Sequence, residues 1–446
     1  MISSKSSEIS RVIDATAYPE PRPGFQIDVV AALTFYVFLM MAIPSRLVFA
    51  PLGGQGGPAS ILAVLFMGWY LIARLHPAFD TGADRQPVRT VAALFLCSIL
   101  ISFIAANLNP LSDMAQDGVE RGIIEAVGLC GVLLIAADGI WRNDRLVALL
   151  GRIVIGANAM AALAVTEFFS GIEFTKYIVI PGLVSGPVIT DLTVRDGLNR
   201  PAATTASPLE LAAVLAMVLP LAIHRARFAV GNSWRIRWLQ VGVIGAGLMV
   251  TLSRTAIVGF LIVAAVLLPT WPKTQRRYTY VGLAGSIVIV YLALPKVLRV
   301  FISILEQLVT GSSSTESRTN AISASLPLIS QHPWFGTGFG DFFPQVYFYT
   351  DDQYLNSLIS SGLTGFFALL VLFISGWLVA RRLRRRSNSP AIRDLAQSLA
   401  AAVAVASGCF ATFDVLSFSA ASGLTFLLLG CIAALWRLNC NCDKTR

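Results

Sequence analysis

Six residues from position 200 onward have the types needed for work on an anionic, hydroxyl-bearing substrate: Arg200, Arg254 and Arg318, and His332, Asp351 and Asp352. A guanidinium matches phosphate oxygens with a planar fork of donors, so three arginines in three separate loops could converge on a pyrophosphate. A histidine or carboxylate beside them could take the proton of an attacking hydroxyl. Four of the six also have a plainer role open to them. Arg254 could snorkel to an interface or pair with Glu125, Glu167 or Glu210. His332 precedes Pro333, which holds it extended in a turn. Asp351 and Asp352 stand where carboxylates cap helices.

The residue types exclude several other chemistries. No Cys/His ligand spacing, Walker loop or G-x-S-x-G elbow occurs, and adjacent Asp351-Asp352 is a poor geometry for two ligands to one ion. No metal and no cofactor is therefore expected. Gly336-Thr-Gly338-Phe-Gly340 permits positive φ or close backbone approach; as a phosphate loop it is a weak signal. Four of the six cysteines fall inside apolar runs, and Cys440-x-Cys442 lacks further ligands nearby.

The elements that must position these residues are apolar. With 446 residues, 55% hydrophobic, 13% charged and a mean hydropathy of +0.70, the chain is read as an all-α polytopic membrane protein. The net charge of +9 is spread between apolar runs and not along one stripe, so nucleic acid is not an expected partner, whereas a lipid bilayer is. Apolar stretches begin near Ile27, Pro58, Thr90, Ile123, Leu146, Pro208, Trp238, Thr255, Tyr278, Leu355, Ala391 and Ser417, giving about twelve spans. Basic residues cluster in alternate loops, as in Arg225/Arg227/Arg235/Arg237 and Arg381 to Arg386. The positive-inside rule puts those loops and both termini in the cytoplasm of a bacterial inner membrane. The expected layout is a cytoplasmic tail over 1–26, a membrane domain over 27–437 and a second tail over 438–446. Two long loops face the periplasm, about 171–207 and 301–355, the larger one between the ninth and tenth spans.

Local signals place the candidate residues on these elements. As one helix, Trp238 to Trp271 would be roughly 50 Å long against a hydrocarbon core of ~30 Å. It must break, and Ser253-Arg254 is the only polar point. The turn would then sit below the membrane surface in a recess, where a guanidinium usually has a functional or ion-pair reason. Ser207, Pro208 and Glu210 fit N-cap, N1 and N3 of a capping box that opens a span beside Arg200. Pro295 starts an amphipathic helix at the outer surface, Gly311 to Thr315 reads as a flexible joint, and Arg318 opens a helical stretch from Ser317 to about Ile329.

In order and spacing, these motifs resemble the O-antigen ligase and Wzy-type polymerase superfamily of bacterial membrane glycosyltransferases. The carrying features are Arg200-Pro-x-x-Thr-Thr-x-Ser-Pro-x-Glu-Leu-Ala, Leu252-Ser-Arg254-Thr-Ala, Arg318 followed by His332-Pro-Trp-Phe-Gly336-x-Gly338, and Tyr354-Leu355 to Gly362-Leu-Thr-Gly365. They cover the chain from about Arg200 onward. The resemblance implies metal-independent transfer, on the periplasmic face, of a glycan from an undecaprenyl-pyrophosphate donor to a sugar hydroxyl, with Arg200, Arg254 and Arg318 on the pyrophosphate. Its implied partners are lipid-linked donor and acceptor glycans, a flippase and a chain-length regulator. Ligases of the family typically show His-Asn ahead of the Tyr-Leu stretch, where this chain has Asp351-Asp352. The preferred reading is therefore a polymerase of exopolysaccharide or O-antigen, with a ligase acting on lipid A core or protein as the alternative. A transporter or lipid-linked sugar flippase is the reading from another class. It would place charges at mid-membrane depth, where these spans have almost none.

Overall fold

The computed structural model describes residues 28–51, 56–76, 86–108, 110–186, 193–228, 233–310, 313–343, 347–348 and 350–440. The expected N-terminal tail, residues 441–446 of the C-terminal tail, and the side chains of 308–319, Arg318 among them, lie outside the described residues.

In lipid every backbone amide must find an internal partner, so apolar runs become helices. Each of the expected runs holds one. In chain order these are α1 (Val29–Ala42), α2 (Pro58–Leu75), α3 (Pro87–Asn107), α4 (Asp113–Gly139), α5 (Asn143–Ser170), α6 (Pro208–Arg227), α7 (Ser233–Val250), α8 (Arg254–Leu267) and α9 (Lys273–Ala293). Then come α10 (Pro295–Thr310), α11 (Ser313–Gln331), α12 (Gln353–Ser360), α13 (Gly362–Arg386), α14 (Pro390–Phe410) and α15 (Ser419–Cys440). Among the described residues, 7 helices (α2 to α6, α13 and α15) are long and apolar enough to cross a bilayer, or 8 if the bent pair α9 and α10 counts as one span. The chain is an all-α polytopic membrane protein.

The helices α6 and α15 form the axis of the bundle, with almost every side chain buried, and α4 and α14 pack against them. The outer helices α2 and α3 leave most of their flanks uncovered. Lipid tails are as apolar as leucine, so close packing and not transfer from water favours such contacts. Small residues allow the approach: Ala212, Ala213 and Ala216 on α6, Ala400 to Ala402 on α14, and Ala420 and Ala421 on α15 are all buried.

The break expected in the Trp238 to Trp271 segment falls at residues 251–253, and Ser253 caps α8 by accepting from the Ala256 amide at 3.1 Å. The span expected to start near Leu355 is instead two helices. The short α12 ends at Ser360, and α13 begins at Gly362, which has φ of 64°. The cause is a crossing strand of backbone: Leu363 and Thr364 donate their amides to the Pro333 and Trp334 carbonyls at 2.9 and 3.2 Å. A side chain at 362 would collide with the Trp334 backbone. Part of the expected flexible joint, Ser313 to Thr315, belongs to α11.

Candidate functional site

The loop between α5 and α6 is structured by two small antiparallel pairings, β1 (Leu47–Val48) with β2 (Val184–Ser185) and β3 (Thr193–Arg195) with β4 (Leu198–Arg200). The second is a tight hairpin turning on Asp196-Gly197, whose φ values of 51° and 74° suit an Asp-Gly turn. Its register pairs Thr193 with Arg200 and Arg195 with Leu198. Side chains alternate between faces and paired residues share one, so Arg195 and Arg200 project from the same face.

That face meets the buried turn between α7 and α8. Arg195 Nη1 donates to the Leu252 carbonyl at 3.2 Å, and Arg200 Nε to the Thr251 carbonyl at 3.1 Å. Arg254 starts α8 at the same turn. The Gln307 side-chain oxygen, on α10, accepts from both Arg195 and Arg254, at 3.5 and 3.4 Å. Three guanidiniums are thereby gathered around one turn. Thr251, Leu252 and Ser253 are wholly buried, and Leu252 holds φ of 45° without being glycine, a conformation that persists only when its surroundings dictate it. Burial, and then the charge of Arg195, push the Arg200 pKa down. Among the described residues neither Arg195 nor Arg200 forms an ion pair with a carboxylate. The pair lowers its energy by taking up an anion.

Helix dipoles add to this field. Ser207 caps α6 by accepting from the Glu210 amide at 3.2 Å, as the capping box requires. Glu210 does more than cap. One carboxylate oxygen accepts from the Ala206 amide at 2.8 Å, one residue before the expected N-cap amide. The other takes the Ala420 and Ala421 amides at 2.8 and 3.2 Å, tying the start of α15 to the start of α6. Glu167, another acid weighed as a partner for Arg254, accepts from the Phe174 and Ala203 amides at 3.2 and 3.1 Å. The start of α8 is tied in turn to the loop before α15 by Thr255 and Thr412, whose hydroxyls lie 3.2 Å apart. Asp352 caps α12 by accepting from the Tyr354 amide at 2.9 Å, and Gln353 accepts from the Leu416 amide at 2.8 Å. The N-termini of α6, α8, α12 and α15 thus come to one end of the bundle. Their amide dipoles favour negative charge there.

The acid and base candidates divide. Asp352 lies at this end as a helix cap; Asp351 beside it is exposed, with φ of 47°. His332 is exposed, and its carbonyl closes the turn by accepting from the Gly336 amide at 3.0 Å. The glycine run is no phosphate loop. Its Thr337 and Gly338 amides donate to the Ile359 and Ser360 carbonyls at 3.1 and 2.9 Å. Gly340 lies against the Gly118 backbone of α4 so closely that a Cβ on either would clash. The run is a clamp between α4 and the α12–α13 junction.

A carboxylate absent from the sequence candidates lies at the same end of the bundle. Asp414 sits in the loop 411–418, two residues beyond Thr412. Its Oδ2 accepts from the Ser417 hydroxyl. Its Oδ1 is shielded from solvent with no hydrogen-bond partner meeting good geometry, although the Asn356 amide lies close enough to lower its pKa somewhat. Burial prevails over both neighbours and pushes the Asp414 pKa up to about 6. One sequence signal was available: Asp414 is the only acidic residue between Asp394 and Asp443. Arg195 had no comparable signal.

A helical membrane bundle thus collects Arg195, Arg200 and Arg254 at one buried turn, and several helix N-termini and the raised-pKa carboxyl of Asp414 at the end to which that turn is tied. The O-antigen ligase family model matches residues 239–370, from α7 into α13, taking in the Arg254 turn, Gln307, the glycine clamp and α12. This match, over less than a third of the chain, supports the superfamily of O-antigen ligases and Wzy-type polymerases, a glycosyltransferase-like class of membrane enzymes. Arg195, Arg200 and Asp414 lie outside the matched segment. No match is found among curated proteins.

Proposed function

We propose that the protein is a membrane glycosyltransferase that polymerises undecaprenyl-pyrophosphate-linked oligosaccharide repeats into exopolysaccharide or O-antigen, without a metal or cofactor. In this reading the twelve apolar helices α1 to α9 and α13 to α15 all cross or enter the inner membrane. Both termini are cytoplasmic, and the arginine end faces the periplasm, where donor and acceptor glycans are presented. The observation that carries the reading is the gathering of Arg195, Arg200 and Arg254 at one buried turn.

The pyrophosphate of the donor lies against these guanidiniums, and Arg318, whose side chain is outside the described residues, is assigned to the same group on the family resemblance alone. An acceptor sugar hydroxyl attacks the anomeric carbon, forming the new glycosidic C–O bond as the bond to pyrophosphate breaks with inversion. The arginines and helix N-termini stabilise the charge that develops on the leaving oxygen. Asp414 takes the hydroxyl proton, with Asp352 at the neighbouring helix cap as second choice; Asp351 and His332 are placed to contact the incoming glycan. A carboxylate with a pKa near 6 is ionised at neutral pH yet basic enough to accept that proton.

The matched family takes in ligases as well as polymerases, and a ligase acting on lipid A core or protein is the second reading. Deletion of the gene followed by analysis of lipid-linked glycans separates the two. A polymerase null accumulates single repeats, and a ligase null keeps long undecaprenyl-linked polymer. Repeats trapped on the inner leaflet would mean a flippase instead. Normal polymer output from Arg254→Ala and Arg200→Ala would sink the site assignment.

A further inference from the structure

The polar end described above leaves unexplained a second strongly charged surface, at the C-terminal end of α13. Arg381, Arg382, Arg384, Arg385 and Arg386 end that helix, and Arg393 begins α14 beside it. Topology rules account for basic residues at a cytoplasmic helix end, but not for how these are held. Among the described residues none of the six forms an ion pair with a carboxylate. Asp394, the acid next to Arg393, is already engaged by His224 at 2.7 Å and by Arg227. Two of the arginines are supported from below by a neutral group. Arg384 and Arg381 both donate to the side-chain oxygen of buried Gln397, at 2.8 and 3.5 Å, while the Gln397 amide donates to the Val266 carbonyl at 2.7 Å. A buried amide fixes the guanidiniums without neutralising them.

The apolar half of α13 is aligned with this cluster. Phe367, Val371, Ile374 and Leu378 are exposed and follow one another at intervals of three and four residues, which is one face of a helix. Continuing the same spacing reaches Arg382 and Arg385, both exposed. Trp377 lies at the boundary with the Arg381 guanidinium 5.2 Å from its ring centre, a placement typical of the level of lipid headgroups. One face therefore offers a hydrocarbon stripe of roughly three helical turns leading directly to uncompensated positive charge.

We propose that this face is a binding site for an anionic phospholipid, its acyl chains along Phe367 to Leu378 and its phosphate held by Arg382 and Arg385 with Arg381 and Arg384 behind them. Charge complementarity selects the occupant. A zwitterionic lipid brings its own cation to a site that already has six. A soluble acidic partner would leave the apolar stripe unused. The site is independent of the glycan chemistry and stands whether the enzyme polymerises or ligates.

The test is native mass spectrometry of the full-length protein purified in detergent and titrated with phosphatidylglycerol or phosphatidylcholine of equal chain length. The wild type should retain one phosphatidylglycerol preferentially. R382Q/R385Q should retain it about thirtyfold less, from on the order of fivefold per arginine near an anionic headgroup. R382K/R385K should keep most of the preference, and R276Q/R277Q, which removes two arginines from the start of α9, should leave it intact. Should R382Q/R385Q fail to fold, the wild type is challenged instead with glycerol phosphate or a polyglutamate peptide; neither should displace the lipid at millimolar concentration. Equal retention of the two lipids, an equal loss in R276Q/R277Q, or displacement by either soluble anion overturns the proposal.

Discussion

Replacing Asp414 by asparagine should separate the cost of the proposed base from its use. The Asp414 pKa rises from 3.8 to about 6 in the folded protein, chiefly through burial. Folding therefore raises the proton affinity of this carboxyl group. Below the unfolded pKa, near 4, both states hold the proton and the group contributes nothing. As pH rises from there through 6 the unfolded chain releases the proton first, so stability falls and then levels off at its lowest value. A difference of about two pKa units corresponds to about 3 kcal/mol, an upper figure because residue 414 is not wholly buried. Asparagine never ionises and keeps an oxygen for the Ser417 hydroxyl. Its amide N–H must find a partner where Oδ1 now has none, and Asn356 can turn its own oxygen to accept it. Allowing about 1 kcal/mol for an imperfect fit leaves a net gain of roughly 1–2 kcal/mol at neutral pH.

The measurement is thermal unfolding of detergent-solubilised wild type and D414N between pH 4 and pH 8, alongside transfer of a lipid-linked oligosaccharide. D414N should melt higher than wild type at pH 7.5, with the gap closing toward pH 4.5, and should lose transfer by about a hundredfold or more, the usual contribution of a positioned base. Wild-type transfer should rise with pH through an apparent pKa of about 6. If D414N melts below wild type at pH 7.5 while retaining transfer, Asp414 is a structural acid and the base assignment is refuted.

Further outcomes follow from the same contacts. Arg195→Ala and Arg200→Ala should each slow transfer by roughly 30- to 300-fold, the loss of one or two charge-assisted contacts to the leaving group, with lysine at either position restoring only part of it. Glu210→Gln should lower stability by on the order of 2 kcal/mol, since an amide offers one oxygen where the carboxylate serves the Ala206, Ala420 and Ala421 amides; unchanged melting would show that the tie between α6 and α15 is dispensable. Gly362→Ala should cost about 2 kcal/mol or more, because φ of 64° is unfavourable for alanine and its Cβ meets the Trp334 backbone. Gly285→Ala, at a helical position with open space around it, is the matching control and should be neutral or stabilising.

What could be read from the sequence was local or set by length. The break at Ser253-Arg254 followed from an apolar run too long for one crossing, and the Ser207 cap followed from residue types three apart. The glycine run was half legible: glycine announced a close backbone approach but not its partner, which turned out to be protein and not phosphate. What was illegible depended on contacts between distant segments. Arg195 joins the site only because the hairpin register puts it on the Arg200 face and because that face meets a turn 57 positions away. Asp414 acquires its character from burial in a loop that Gln353 of α12 fixes across 63 positions. In the proposed mechanism the difference between an inert loop acid and a base is thus made by Gln353, Thr255 and Glu210, which hold four helix starts to the loop or to one another. None of the three need touch substrate. The positioning contacts, more than the arginines, are what a sequence motif leaves out, and a chain could keep Arg200, Arg254 and Arg318 while losing the site if the ties at Glu210 and Gln353 were cut.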